Sequence, residues 1–170
     1  MDEYANYQIG GESRRLMLEN SSDNYGIALH MLQQTRRDVA ILSRHLDGRL
    51  YDTTEFIHAL TQLAIQHPRC RIRLLLKDME PLVKYGHRII ELSRRLTSMI
   101  GIRIMHEDYQ EYNEAYMIFD ERGIIKRRYA DRYEGIANYN DPKQARELMS
   151  IFNAIWNVSE PDPNLRRLHI

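Results

Sequence analysis

Apolar residues switch between helical spacing and short unbroken runs over the first hundred residues of the chain. The runs 38–43, 70–78 and 101–106 are short and apolar, and they predict buried strands. Apolar positions three or four residues apart predict a helix before each run. The resulting order, α-β-α-β-α-β, predicts parallel strands joined by right-handed crossovers.

Helix-capping and helix-terminating residues predict where these helices begin and end. Asp52 with Glu55 resembles a capping box for the second helix, after a loop over residues 44–52. Pro81 suits the first turn of the third helix, and Gly101 suits its end. One continuous helix is therefore expected between these two residues, with an inward stripe at Leu82, Tyr85, Ile89, Leu92 and Leu96.

The pattern changes after the third predicted strand. Runs 115–120 and 124–129 predict a β-hairpin, 136–139 predicts a further short strand, and Asp141-Pro142 opens a last amphipathic helix. The predicted fold class is α/β: a βαβαβ parallel half continued by a β-hairpin into a mixed sheet flanked by helices. The 170 residues suit one domain over 20–158, with an N-terminal arm at 1–19 and a C-terminal tail at 159–170.

Composition excludes several classes of protein. Lys plus Arg and Asp plus Glu number 24 each, so any attraction to nucleic acid or anionic lipid must come from a local patch. The single cysteine, Cys70, permits no intrachain disulfide, and its place before a strand favours a buried thiol. No metal-ligand spacing, cofactor motif, secretion signal or transmembrane segment is apparent. We expect a cytoplasmic protein without metal or cofactor.

Polar residues follow each of the three predicted parallel strands. Arg44 and His45 follow the first strand, Lys77 the second and His106 the third. Because ligands of open α/β sheets gather beyond the carboxyl ends of parallel strands, these four are candidate ligand-binding residues. The alternative, which we favour, is that these loops are simply solvated.

The run 126–132 is the densest basic segment of the chain. Lys126 and Arg128 would share one face of a strand and, with nearby tyrosines, could bind a phosphate or stack a base. The favoured alternative is a solvated edge strand that its charges protect from pairing.

The stretch 113–138 resembles the active-site hairpin of the phospholipase D superfamily, whose motifs are His-x-Lys-x4-Asp and Gly-Ser-x-Asn. Asn113, Ala115 and Asp120 fall on the His, Lys and Asp positions, and Gly135 and Asn138 fall on the second element. The resemblance covers residues 22–158 by element order. The spacing between the two elements is longer here than in the family.

The resemblance implies that the groups for phosphodiester chemistry are absent. In the family a histidine attacks phosphorus and lysines neutralise the phosphoryl oxygens; an asparagine amide is not basic, and an alanine binds no phosphate. We therefore expect a non-catalytic phospholipase D-like domain that serves as a binding or scaffolding module. Family halves pair about a two-fold axis near this motif, which, with a cluster of tyrosines over 109–139, predicts a homodimer.

Two other functions stay open at this point. The first is a protein that binds a phosphate-bearing ligand, either a nucleic acid or an anionic lipid headgroup. The second is an enzyme of unrelated mechanism that uses His45, His106 and nearby carboxylates of the strand-end polar rim.

Overall fold

One mixed β-sheet runs through the computed structural model, which describes residues 3–163. Its strands are β1 Leu16–Leu18, β2 Asp38–Ser43, β3 Arg71–Leu76, β4 Ile100–Ile104, β5 Ala115–Phe119, β6 Gly123–Arg127 and β7 Gly135–Asn138. The helices are α1 Ser21–Gln34, α2 Gly48–Tyr51, α3 Thr54–Gln66, α4 Glu80–Tyr85, α5 Arg88–Arg95 and α6 Pro142–Val158, with a 3-10 helix at Glu107–Tyr109.

The strands lie in the order β1-β7-β6-β5-β2-β3-β4. Strands β2, β3 and β4 are parallel, and every other neighbouring pair is antiparallel. The predicted fold class, a parallel βαβαβ half continued by a hairpin into a mixed sheet, is confirmed. Both faces of β2 are covered, which explains why its sequence is an unbroken apolar run.

Side chains of β2 point alternately into two hydrophobic cores. Val39 and Ile41 join the larger core beneath α1, α3 and α5, whereas Ala40 and Leu42 join the smaller core beneath α6. Cys70 is buried in the larger core, as its position before a strand predicts. The two cores keep the ends of β2, β3 and β5 in fixed relative positions.

Side chains cap the long helices. Asn20 accepts a hydrogen bond from Asp23 N–H before α1, and Asp141 accepts one from Gln144 N–H before α6. The cap of α3 is Thr53, one residue after the predicted Asp52, which instead accepts a hydrogen bond from Arg88 Nε at 2.7 Å. The predicted cap was therefore wrong by one position, because Asp52 is taken by an ion pair.

The predicted third helix is two helices, α4 and α5. Gly86 has φ +76°, a left-handed conformation that ends α4, and His87 then caps α5. Tyr85 consequently lies outside the apolar stripe with 78% of its surface exposed. Gly101 lies inside β4 and ends no helix.

Three segments have more regular structure than their sequences predicted. Residues 16–18 of the predicted arm form β1, which pairs with β7, and residues 48–51 of the predicted loop form α2. Glu160 of the predicted tail forms a β-bridge with Ile104. Residues 164–170 of that tail lie outside the described residues, and the proposed domain limits stay predictions.

The basic segment 126–132 begins in an internal strand, so the interpretation as an edge strand was wrong. Strand β6 lies between β5 and β7, and Arg127 is only 6% exposed. The strand ends at Arg127, so Arg128 lies beyond it and the strand pattern gives it no shared face with Lys126.

Candidate functional site

A pocket of about 210 Å³ lies where β2 and β3 end and β5 begins. It occupies the carboxyl ends of parallel strands, where open α/β sheets usually bind ligands. Its polar lining residues are Ser43, Arg44, Lys77, Asn113, Glu114 and Asp131. Since a water molecule occupies about 30 Å³ of liquid, the pocket has room for one phosphate-sized group and several waters.

Two cations at this pocket have no carboxylate partner within residues 3–163. Lys77 Nζ donates a hydrogen bond to Asn113 Oδ1 at 3.1 Å, and Arg44 is solvent-exposed. Neither forms an ion pair with another described residue. The arrangement presents positive charge to a small concave site, which favours an anionic ligand.

Two carboxylates line the pocket, and one of them, Glu114, is already engaged, whereas Asp131 is solvent-exposed. Glu114 accepts a hydrogen bond from Tyr112 Oη at 2.9 Å and lies 3.6 Å from Lys126 Nζ. Burial raises the pKa of the Tyr112 hydroxyl, with Tyr116 and Glu114 adding to the shift, so Tyr112 remains a protonated donor at neutral pH. Glu114 therefore already has two polar partners within the protein.

Ala115 and Arg127 are directly opposite each other on β5 and β6. Both side chains are buried, and together with Tyr51 they line a space of only about 10 Å³. Burial raises the pKa of the Tyr51 hydroxyl, while the charge of Arg127 partly opposes that shift. A long side chain at position 115 would have no room in this space.

Arg127 binds main-chain oxygens in place of a carboxylate. Its Nη1 donates to Arg132 O at 2.9 Å and more weakly to Ala130 O at 3.5 Å, and its guanidinium lies 5.9 Å from the centre of the Tyr133 ring. No ion pair of Arg127 is found among residues 3–163. The residue fixes the loop that joins β6 to β7.

That β6–β7 loop, residues 128–134, forms one side of the pocket. Ala130 N–H donates to Asn113 O at 2.8 Å, and Tyr133 Oη donates to Asp47 Oδ2 at 2.5 Å. Arg127 also donates to main-chain oxygens of this loop, so the loop backbone is held at several points. The longer spacing between the two motif elements is accounted for by this loop.

Asp120 lies at the other end of β5, far from the pocket. Its carboxylate accepts hydrogen bonds from the main-chain N–H groups of Arg36 at 2.9 Å, Arg37 at 2.8 Å and Asp38 at 2.9 Å. The strand separates it from Asn113 by about 23 Å at 3.3 Å per residue. Asp120 therefore supports the α1–β2 connection and touches nothing in the pocket.

Gly135 and Asn138 also have structural explanations. A Cβ atom on Gly135 would collide with Lys126 O, so strands β6 and β7 approach too closely there for any side chain. Asn138 Oδ1 accepts hydrogen bonds from Arg14 N–H at 3.1 Å and Asn140 N–H at 3.0 Å. It anchors the segment that precedes β1 to the sheet.

The structure brings together only part of the predicted rim. Arg44 and Lys77 line the pocket, and Lys126 reaches its wall through Glu114. The side chain of His106 caps the 3-10 helix by accepting Asp108 N–H at 3.1 Å. His45 and Arg128 are exposed outside the lining, and Arg128 lies 5.6 Å from the centre of the Tyr129 ring.

Arg127 is the residue of this site that sequence reasoning missed. It was interpreted as one charge in a solvated basic run, although its cross-strand position opposite Ala115 follows from the hairpin register. The signal available in the sequence was the turn at 120–122, which sets that register. Among residues 3–163, no group of His, Cys, Asp and Glu is placed to hold a metal ion, and no helix is long and apolar enough to cross a membrane.

The family model described as Domain of unknown function (DUF7931) matches residues 20–168. The chain belongs to this family. No curated protein matches the chain. Membership of the DUF7931 family thus identifies the domain without assigning it an activity.

Solved structures with the same fold include a phospholipase D family member and a chromatin protein. Nuc from Salmonella typhimurium, a phospholipase D family member, aligns with a TM-score of 0.63 at 12% identity, over 88% of this chain and 97% of Nuc. NucT from Helicobacter pylori aligns with a TM-score of 0.64 at 10% identity, over 89% of this chain and all of NucT. TrmBL2, an archaeal chromatin protein, aligns with a TM-score of 0.63 at 16% identity, over 93% of this chain and 57% of TrmBL2.

These alignments confirm the phospholipase D-like fold of the DUF7931 chain. Identities of 10–16% show the fold alone. The chain spans less than two thirds of TrmBL2 and nearly the whole length of Nuc and NucT.

Proposed function

We propose that this chain is a non-catalytic phospholipase D-like binding module whose strand-end pocket holds a phosphate-bearing ligand. The observation that carries the proposal is the contact between Lys77 Nζ and Asn113 Oδ1 at 3.1 Å. A lysine without a carboxylate partner thus lies beside the amide of Asn113, the residue that the resemblance aligns with the family nucleophile. Arg44, also without an ion pair among the described residues, lines the same pocket.

The chemistry of the lining supports binding without cleavage. A phosphodiesterase of this superfamily needs a nucleophilic histidine, and no histidine lines the described pocket. Asn113 can donate a hydrogen bond from its amide nitrogen, and Lys77 can neutralise one anionic oxygen, so the pair can bind a phosphate. Neither group can form the covalent intermediate.

The fold itself is compatible with a nucleic-acid partner. Nuc and NucT share it, and so does TrmBL2, which is described as binding DNA. The volume of about 210 Å³ suits a single phosphate group, such as a lipid headgroup or a nucleic-acid end, better than an extended polymer.

Two measurements test the proposal. Calorimetric titration with inorganic phosphate should show binding, and Lys77→Ala should weaken it by about tenfold, the effect of losing one charge-assisted contact. Lys84→Ala, an exposed lysine outside this pocket, is the matched control and should bind as the native chain does. Equal binding by both variants would contradict the assignment of the pocket.

An assay with a chromogenic phosphodiester tests the absence of catalysis. We expect no turnover above buffer. Turnover that Lys77→Ala abolishes would overturn the non-catalytic function. Lys77 is a better choice than Asp120 for this test, because substitution of Asp120 would act through the stability of the fold.

We further propose that two copies associate near the pocket, as the family resemblance implies. Tyr129 is 45% exposed at its rim and is flanked by the guanidinium groups of Arg128 and Arg132, each within 5.6 Å of the ring centre. Light scattering after gel filtration should give a dimer mass, and Tyr129→Glu should shift it to a monomer. A monomer from the native chain at all concentrations would refute this part.

A further inference from the structure

A second concave surface, with a volume of about 1370 Å³, lies at the opposite end of the sheet from the pocket. It runs between the N-terminal arm, the end of α1, the α3–β3 connection, the β5–β6 turn and the start of α6. We call it the arginine groove, after five arginines that line it: Arg36, Arg37, Arg69, Arg122 and Arg146. All five are solvent-exposed.

The charges of the arginine groove are not balanced by ion pairs. None of the five arginines forms a side-chain hydrogen bond or a salt bridge with any residue of the described range. Three acidic residues also line the groove, but two of them are already engaged. Asp38 pairs with Arg71 at 3.1 Å, and Asp120 accepts three main-chain N–H groups.

Glu121 is thus the one carboxylate of the groove, within the described residues, that forms no hydrogen bond or ion pair. Five guanidinium groups therefore face three carboxylates, and only Glu121 among these three has no other partner within the described residues. The molecule as a whole carries no net charge. The excess of arginine over carboxylate in this groove makes it a local basic patch, which the total composition does not reveal.

The groove is built on fixed backbone. Asp120 holds the main-chain N–H groups of Arg36 and Arg37, and Arg122 N–H donates to Phe119 O at 3.0 Å. The arm that forms one wall is held by Gln34, which accepts from Ile9 N–H at 2.8 Å and donates to Tyr7 O at 3.1 Å. The positions from which these arginines project are therefore set before any ligand binds.

We propose that the arginine groove binds the sugar–phosphate backbone of a nucleic acid. Guanidinium groups suit phosphate oxygens because their planar N–H groups form paired hydrogen bonds with them. A row of such contacts along a concave surface fits a polyanionic chain. This site is separate from the proposed phosphate pocket, which lies beyond the other end of β5.

The shape and lining of the groove disfavour a membrane. A bilayer surface is flat, whereas the arm at residues 5–9 forms a raised wall. Membrane-bound surfaces also insert exposed apolar side chains. None of the large exposed hydrophobic residues in the described part of the chain lines this groove.

The described lining of the groove offers no free Phe, Tyr or Trp ring on which a base could stack. Tyr7, its one tyrosine among the described lining residues, is stacked on Tyr139 with ring centres 5.6 Å apart and accepts a hydrogen bond from Arg14. Recognition through phosphates alone predicts binding that depends little on sequence and strongly on salt.

Fluorescence anisotropy with a short labelled duplex, and with one of its strands alone, tests the proposal. We expect binding at about 50 mM salt and a loss of affinity on the order of a hundredfold at 200 mM, as four or five phosphate contacts predict. The double variant R37E/R146E should lose at least about tenfold in affinity at the lower salt concentration. Both side chains are exposed and make no hydrogen bond within the described chain, so the fold should be kept, which circular dichroism checks.

The control is the double variant K84E/R95E. It changes the net charge by the same amount, and both of its residues are exposed and lie outside the groove and the pocket. It should bind the duplex within about twofold of the native chain. Lys77→Ala should likewise retain nucleic-acid binding while it loses phosphate binding, so the two proposed sites can fail independently.

Three results would overturn the proposal. They are absence of duplex and single-strand binding by the native chain at the lower salt concentration, equal losses in the two double variants, and binding to phosphatidylserine vesicles in place of nucleic acid.

Discussion

The two ends of β5 differ in what their polar residues touch. Asn113, just before the strand, contacts a side chain, Lys77, at the wall of an open pocket. Asp120, just after the strand, contacts three main-chain N–H groups. A side-chain contact in a pocket can be changed without affecting the fold, whereas a carboxylate that satisfies main-chain donors cannot.

Ala115 differs from both Asn113 and Asp120. Ala115 lies inside the strand, buried opposite Arg127, and faces neither the pocket nor the turn. In one hairpin, Asn113 therefore lies at an open pocket, the side chain of Ala115 is buried, and the carboxylate of Asp120 holds the main chain. Substitutions at each should have different effects.

The largest effect is expected from Ala115→Lys. The space beside Ala115 is only about 10 Å³ and is lined by Arg127, so a lysine would bring both overpacking and like-charge repulsion. We expect the free energy of unfolding to fall by about 3 kcal/mol or more. Urea unfolding measures this free energy. Ala115→Ser is the control and should remain close to the native value. Unchanged stability of the lysine variant would show that position 115 has room for a long side chain.

Asp120→Ala should have the next largest effect. It leaves three main-chain N–H groups at the α1–β2 connection without their charged acceptor. We expect a loss of about 2 to 3 kcal/mol in the free energy of unfolding. Glu121→Ala is a matched control in the same turn, also at positive φ, and should change stability little; equal losses in the two variants would mean that the turn and not the carboxylate is responsible.

Arg127→Met tests the support of the β6–β7 loop. The replacement keeps an apolar stem of similar length but removes the donor to Arg132 O and Ala130 O. We expect a loss of about 1 to 2 kcal/mol in stability and faster hydrogen exchange across residues 128–134. Arg128→Met, at an exposed neighbour, should leave exchange in the loop unchanged; unaltered exchange in the Arg127 variant would contradict the role given to this side chain.

Glu121→Gly should give the smallest effect, with the opposite sign. Glu121 has φ +56° beside Asp120 at +52°, the pair of positive values that a type I′ turn requires. Glycine adopts this conformation without steric cost but is more flexible when unfolded, so a net gain of about 0.5 kcal/mol is expected. A lower thermal midpoint for the glycine variant would contradict this account of the turn.

The sequence predicted the fold well where the patterns are long. The three parallel strands were predicted from unbroken apolar runs, the hairpin from two runs joined by a turn and α6 from a helical stripe, and each is present. Strand β1 was missed because its three residues, Leu16–Leu18, are too few to establish an alternation. The break between α4 and α5 was missed because the apolar stripe continues past Gly86, although that glycine was the available signal.

The candidate sites were harder to predict than the fold. Arg44 and Lys77 could be paired from sequence because the carboxyl ends of neighbouring parallel strands meet at one edge of the sheet. The arginine groove could not be predicted, because its arginines come from three connections and from helix α6, and only Arg36 and Arg37 are adjacent in the sequence. The dense basic run that stood out in the sequence instead placed Arg127 inside the protein.

The burial of Arg127 beside Ala115 has a consequence for how this domain could change over time. Introducing a lysine at position 115 would require the loss of Arg127, and losing Arg127 first would release the β6–β7 loop. We expect neither single step to leave a domain as stable as the present one. The two positions should therefore be epistatic, so that a lysine at position 115 is tolerated only together with a change at position 127.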